Sequence, residues 1–403
     1  DANCFGVSQC KSLVQTKFPL CVKCVDELLS QNHAVQIDNE KYNLCDEKES
    51  MQVRACSFYC RANQKPYGIC EREKQIPICK CTDTEPITIS STTTMTTTRL
   101  TTTSDGSPFR LKFALKEHRN WIRSIVTLNN GCIATASDDK TINVWNLTNG
   151  SLVRTLQGHT TYVNSLTVLD NGYLVSASDD RTIRIWNTND GSLIRTITGH
   201  LGSVYSLLTL RNGQLASGST DQTIKVWRTS DGACLKTLYG HSGIIFSLVD
   251  LATIDGDFAS SSSDGTIKVW SPSQTSAKRT MKPSQTSEVL SLARLLNGNL
   301  ASGSYDGSIR IWNPRDGSLI RTLSGAHEKA VYAMTVLSDG WLVSGSSDKT
   351  MRVWQVDSYG SNGAINLNST ITSVASVIYA LSVHLNGDLL SGSFDGYVRV
   401  WSK

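Results

Sequence analysis

Nowhere in the 403 residues is there a run of about twenty apolar side chains, the length that a bilayer-spanning helix requires. Aromatic residues make up only 7% and charged residues 18%, and the 39 lysines and arginines exceed the 35 aspartates and glutamates by four. These charges are scattered. With no basic run and no basic-aromatic block, the usual footprint of a nucleic-acid surface is missing. Beyond residue 81 there is also no glycine-rich loop to cradle a phosphate and no grouping of metal ligands, so neither cofactor nor metal is expected there. Cysteine is nearly absent from that part, where only Cys132 and Cys234 occur, yet ten others crowd the first 81 residues. The chain therefore joins two unlike kinds of polypeptide.

What the longer part does contain is a repeat. Trp145, Trp186, Trp227, Trp270, Trp312, Trp354 and Trp401 follow one another at 41, 41, 43, 42, 42 and 47 residues, and each stands six residues after an aspartate. A period of this size marks a small unit that buries its core only against its neighbours. Within one unit, Tyr173 to Trp186 alternates apolar and small or polar residues about an acidic turn, the pattern of a β-hairpin. Another strand, Val163 to Leu169, precedes it and ends in Asp170-Asn171-Gly172; a further strand, Ser192 to Ile197, follows Asp190-Gly191. Both turns favour tight hairpins. Seven units of four antiparallel strands predict an all-β, seven-bladed propeller.

The order Gly158-His159, Ser176, Asp180, Trp186 resembles the WD-repeat propellers, and the likeness extends from about Phe109 to Lys403. The resemblance implies that one histidine, one hydroxyl, one aspartate and one tryptophan lock each blade as a hydrogen-bonded tetrad. The aspartates in that role are Asp139, Asp180, Asp221, Asp264, Asp306, Asp348 and Asp395, each four residues after Thr135, Ser176, Ser217, Ser260, Ser302, Ser344 or Ser391. The histidines are His118, His159, His200, His241 and His327; Gln285 and Val374 stand where the other two would be, so blades 5 and 7 are expected to lack the full tetrad. Residues 109–115 look like a fourth strand without a blade of its own, while the last repeat stops at Trp401-Ser402-Lys403 without one. By resemblance the early strand completes the last blade and closes the propeller of residues 109–403.

In the same family, partners dock on the face formed by residues three and five after the histidine position and the residue before the aspartate. Here those places hold Trp121, Tyr162, Tyr205, Phe246, Tyr305, Tyr332, Tyr379 and Phe394, with Arg123, Asn164, Glu288, Asp138 and Asp179 among them. Aromatic rings with a few charges are the usual makeup of a contact surface. The plainer alternative is that several of these rings pack on neighbouring loops and plug the mouth of the channel. Lysines and arginines such as Arg184, Arg195, Lys225, Lys236, Arg310 and Arg321 are expected at outer or edge positions, where charge discourages sheets from sticking. Five of the seven histidines are taken by tetrads, His33 lies in the cysteine-rich part, and His384 precedes the turn Asn386-Gly387. No nucleophile, base and acid converge, and the protein is read as not an enzyme.

Residues 1–81 form a disulfide-bonded module in this reading. Cys4, Cys10, Cys21, Cys24, Cys45, Cys56, Cys60, Cys70, Cys79 and Cys81 are dense for a segment with so few large apolar residues, and cross-links substitute for a core only in an oxidising compartment. Zinc is the competing reading, from Cys21-Val22-Lys23-Cys24 and Cys79-Lys80-Cys81, although His33 is the only histidine nearby. Residues 82–108 carry Thr92, Thr93, Thr94, Thr96, Thr97, Thr98, Thr101, Thr102 and Thr103, the composition of an O-glycosylated stalk, or of a plain spacer. Fully extended, that stretch would span roughly 90 Å. Asn146, Asn149 and Asn368 head N-glycosylation sequons. The chain opens at Asp1 without a charged-then-apolar leader, as a processed product would. Cys132 and Cys234 read as ordinary buried or half-buried thiols, or as links to another chain.

These features together predict a secreted, extracellular protein that binds other proteins, foremost copies of itself, through head, stalk and propeller, giving a filament, coat or matrix. The alternative is an extracellular recognition protein that takes a peptide, a glycan or a foreign partner on its aromatic face. Resemblance alone would suggest an intracellular scaffold, against which the cysteine-rich head argues. No nucleic-acid partner and no membrane span are expected.

Overall fold

The computed structural model describes residues 109–283, 287–356, 365–372 and 376–403, together with the backbone of two strands, Tyr67–Glu73 and Ile76–Thr82. Those two strands pair antiparallel in a register that sets Cys70 opposite Cys79 and Gly68 opposite Cys81. The remaining cysteines of residues 1–81, both zinc and disulfide readings of them, and the threonine runs from Thr92 to Thr103 lie outside the described residues, while Thr82, the first residue of the expected linker, ends the second strand.

The longer unit consists of seven four-stranded antiparallel sheets. Blade 1 covers 122–156, blade 2 163–197, blade 3 204–238, blade 4 245–281, blade 5 289–323 and blade 6 331–371. Blade 7 takes three strands from 378–402, and its outermost strand is Arg110–Leu115, which pairs with Val398–Ser402 from Arg110 opposite Ser402 to Leu115 opposite Val398. The innermost strands of successive blades meet one another around the axis, including those of blades 7 and 1, so the ring is closed.

The sequence of each strand follows from its place. Every second strand is buried along its whole length between two neighbouring blades, which leaves room only for small residues beside the aliphatic ones: Leu174–Ser178 reads LVSAS and Leu215–Ser219 reads LASGS. Third strands such as Ile183–Trp186 alternate Ile, Arg, Ile, Trp, presenting branched residues to the inter-blade layer. The core is accordingly seven layers rather than one centre. Between blades 2 and 3, for example, Val175, Ala177, Ile183, Ile185 and Ile197 pack on Val204, Leu207, Leu215 and Trp227. Each indole buries on the order of 200 Å², or about 5 kcal/mol at about 25 cal/mol per Å².

The basic residues differ from the expectation drawn from sequence. Arg195 and Lys236 do lie on outermost strands, but there, with Arg279, they latch blades 2, 3 and 4 each to the next. Arg195 donates to the carbonyls of Asp231 (2.9 Å) and Ser230 (2.8 Å) in the following blade, Lys236 to that of Pro272 (2.6 Å), and Arg279 to that of Pro314 (2.9 Å). On third strands, Arg184 lies 6.0 Å from the Trp186 ring and Lys225 donates to Thr237 Oγ1 at 2.9 Å. Arg310 is the clearest correction. It is only 4% exposed. Long cations reach these sites because their methylene stems run along apolar surface while the heads find oxygen.

Candidate interaction surface

Each blade presents its loops to the upper face from a fixed anchor below them. In blade 1, Trp145 Nε1 donates to Thr135 Oγ1 at 2.9 Å, Thr135 Oγ1 meets His118 Nε2 at 2.7 Å, and His118 Nδ1 meets Asp139 Oδ2 at 2.7 Å. The same chain of bonds joins His159, Ser176, Asp180 and Trp186 in blade 2. It recurs with His200, Ser217, Asp221 and Trp227 in blade 3, and with His241, Ser260, Asp264 and Trp270 in blade 4. In blade 6 it joins His327, Ser344, Asp348 and Trp354. Burial alone would raise the Asp139 carboxyl, but the bonds from His118 and Thr141 outweigh it and hold the pKa at about 2. The same balance keeps Asp180, Asp221, Asp264 and Asp348 well below the ordinary carboxylate range.

Blades 5 and 7 are built differently. Gln285 and Val374 lie outside the described residues, and the aspartate is engaged from within its own hairpin. Arg310 donates through one nitrogen to Asp306 Oδ2 (2.8 Å) and through the other to Ser304 Oγ (2.9 Å). Arg399 does the same with Asp395 Oδ2 and Ser393 Oγ, both at 2.7 Å. Trp312 and Trp401 keep their bonds to Ser302 and Ser391. Burial raises both carboxyls, yet the guanidinium bonds outweigh it and both are lowered. Reading the sequence as tetrads missed these arginines. The signal was present, since each stands two residues before the tryptophan in a blade without histidine.

Above this layer the rim residues fall into groups. Tyr332 and Tyr379 stack with centroids 4.3 Å apart, Tyr379 lies 5.4 Å from Trp121, and Trp121 lies 4.2 Å from Phe394. These four rings form an arc across blades 6, 7 and 1. Arg123 sits inside it, its guanidinium carbon 5.1 Å from Trp121, 5.2 Å from Tyr379 and 5.8 Å from Tyr162. Asp138 holds it by a forked pair, Nε to Oδ1 at 2.5 Å and the terminal nitrogen to Oδ2 at 2.9 Å. Burial would weaken the charge on Arg123, but Asp138 overrides it and the pKa rises. A second pair, Tyr205 and Phe246, meets edge to face at 5.9 Å in blades 3 and 4. Glu288 and Tyr305 stand apart in blade 5, joined by a backbone bond of 2.9 Å.

Exposure divides the rim in two. Trp121, Arg123, Tyr205, Phe246, Tyr332 and Tyr379 are half-buried, whereas Tyr162 (42%), Tyr305 (61%) and Phe394 (45%) face solvent. Burial, and then the neighbouring Tyr332, push the Tyr379 phenol far above its ordinary value; burial and then Asp179 raise Tyr205. Both hydroxyls stay protonated, and that of Tyr379 is engaged by the Tyr332 hydroxyl. The tetrad histidines and the hydroxyls they meet are buried beneath the loops, and His384 is held by Asn386 and the carbonyl of Gly131.

Other candidate residues are dispersed. Asn149 and Asn368 are exposed, while Asn146 is half-buried at the end of its strand. Cys132 is partly buried, which pushes its thiol up, but Cys234 is exposed on an outermost strand rather than buried. Both are free thiols.

The sequence profile described as "WD domain, G-beta repeat" matches seven segments: 109–146, 150–187, 191–228, 232–271, 276–313, 317–355 and 367–402. No curated relative matches the chain. Among solved structures, it is similar to the crystal structure of the WD40 beta propeller domain of Doa1, with 28% identity and a TM-score of 0.64, over 74% of this chain and 98% of that one.

Proposed function

We propose that this chain, which belongs to the WD-repeat family, acts without catalysis as an extracellular protein-binding component that assembles with copies of itself. The observation carrying the reading is the aromatic arc, in which Trp121, Tyr332, Tyr379 and Phe394 touch one another, a fixed guanidinium lies against Trp121 and Tyr379, and Tyr162 is left exposed beside it. A preorganised patch of rings with one half-buried arginine is the composition that supplies most of the binding energy in protein interfaces. Support for an extracellular setting comes from the ten cysteines in residues 1–81, the threonine runs and the sequons at Asn149 and Asn368. A head that meets the propeller of another copy makes a contact that does not close on itself, which yields filaments or coats.

Electron microscopy of the native protein, with and without reductant, tests the reading. Regular polymers with a propeller-sized repeat support it, and their loss in reductant assigns the joints to disulfides. Monodisperse single rings at high concentration sink self-assembly. The exposed rings Tyr162, Tyr305 and Phe394 favour a second reading, recognition of a peptide or glycan. Replacing Tyr205, Phe246 and Tyr332 by alanine should then abolish capture of that partner from conditioned medium.

A further inference from the structure

The repeat allows one rim position to be compared with its equivalent. In blade 1 the backbone of Asp138 is fixed by a bond from its N–H to the carbonyl of Trp121 at 3.0 Å; in blade 2 the N–H of Asp179 donates to the carbonyl of Tyr162 at the same distance. The two carboxylates therefore occupy matching seats. Opposite Asp138 stands Arg123, which neutralises it through a forked pair. Opposite Asp179, at the matching place, stands Asn164, whose Nδ2 donates to Asp179 Oδ1 at 2.7 Å and to the carbonyl of Val204, next to Tyr205, at 3.0 Å. An amide satisfies one lone pair but cancels no charge.

Two atoms of this seat are left without a donor among the described residues. Asp179 has the single side-chain bond from Asn164, leaving its second oxygen free. Asn164 is only 6% exposed, and its Oδ1 is buried with no partner. A buried acceptor without a donor is costly, since it has given up water and gained nothing in return. The seat is thus an acceptor-only set beside two rings, one of them the exposed Tyr162. Charge agrees with that chemistry. The rim positions hold Asp138, Asp179 and Glu288 against Arg123 alone, a net of −2 on a chain whose formal net charge is +4.

We propose that the blade 2 rim is a guanidinium seat, in which Asp179 is the accessible acceptor with the buried Asn164 behind it and Tyr162 and Tyr205 beside it in the rim, and that it takes an arginine side chain of a protein partner. The inference rests on the reading of this face as protein-binding and specifies the side chain it selects. Arg123 shows that a guanidinium fits the matching seat of blade 1, forked on the carboxylate and flanked by rings. Already neutralised by Asp138, Arg123 does not repel a second one. Arginine is favoured over lysine because its planar fork engages a carboxylate in two parallel bonds and lies on aromatic faces.

The test titrates the full chain with acetyl-Gly-Arg-Gly-amide and with the same peptide carrying citrulline, the neutral isostere, by NMR or calorimetry. The expected result is that the arginine peptide binds at least tenfold more tightly. Asp179→Asn should remove that difference. Asn164→Arg, which copies blade 1, should fill the seat from within and block the peptide, with a circular-dichroism melt checking that both variants fold. Equal binding of the two peptides, or arginine binding untouched by Asp179→Asn, overturns the inference; so does binding of neither. None of these outcomes touches the broader reading, which is judged separately by protein capture on the Tyr205, Phe246 and Tyr332 variant.

Discussion

Blades 2 and 5 close the same buried position with different side chains, and the contrast shows what the tetrad is for. In blade 2, His159 arrives on the connection from blade 1, so the clasp ties the incoming chain to the hairpin turn at Asp180. In blade 5, Arg310 belongs to the hairpin itself and sits four residues from Asp306, so the clasp ties the turn only to its own strand. The connection entering blade 5 is instead held by Ser287, whose Oγ accepts from the N–H of Asp306 at 3.1 Å, and by the carbonyl of Glu288. What the two designs share is a satisfied aspartate and an indole anchored on a buried serine. The imidazole is therefore one way of satisfying that aspartate by hydrogen bonds rather than a fixed requirement.

The comparison breaks first if the ring does. Removing residues 109–115 strips Phe109 and Leu115 from the core and bares the edge of Val398–Ser402. Cooperative unfolding in urea should be lost altogether, more than any single substitution achieves. Next, Trp186→Ala and Trp312→Ala should each cost about 3–5 kcal/mol. Similar values for the two would support the shared anchor, whereas a much smaller cost in blade 5 would show that the arginine design does not depend on it.

Arg310→Ala should cost about 2 kcal/mol, because Ser304 Oγ, buried in the hairpin, loses its donor and Asp306 its counter-charge. Replacing Arg310 by histidine should not restore stability, since the ring is too short to reach both oxygens from that strand. Acid sharpens the contrast further. The Asp139 pKa is lowered from 3.8 to about 2, so its contribution is fully present above the unfolded value and is lost as pH falls from about 4 to about 2. With part of the side chain near solvent, that contribution is on the order of 1–2 kcal/mol. Urea melts across that range should show a shallower pH slope for Asp139→Asn than for the native chain. The smallest effect belongs to Arg228→Ala, which breaks an exposed pair with Asp231 and should leave the midpoint of a urea melt unmoved.

The blade count, the closing strand and the tetrad register are legible in the sequence because a constant spacing between tryptophan and aspartate survives in every repeat. The arginine clasp is legible only when the missing histidine is read together with it, for a physical reason. Arginine occupies the same strand position in blades 2 and 6, where Arg184 lies by its tryptophan and Arg352 donates to the carbonyl of Ala326 at 2.6 Å. One residue type at one position has two destinations, and the presence or absence of histidine decides between them. The inter-blade latches escape for a similar reason, since their acceptors are backbone carbonyls and carry no sequence mark. On the rim, the family register identifies which positions face outward, but not that Trp121, Tyr332, Tyr379 and Phe394 touch one another. That depends on side-chain directions in three different blades.

The closing strand has a mechanical consequence. Arg110 lies opposite Ser402 and Leu115 opposite Val398, so the polypeptide enters and leaves the propeller at the same end of one strand pair. A tension that draws those two ends apart loads the hydrogen bonds of the pair one after another, as a zipper is opened, instead of shearing them all at once. Blade 7 would then yield at low force while the other six remain folded, and the ring would part at a defined seam.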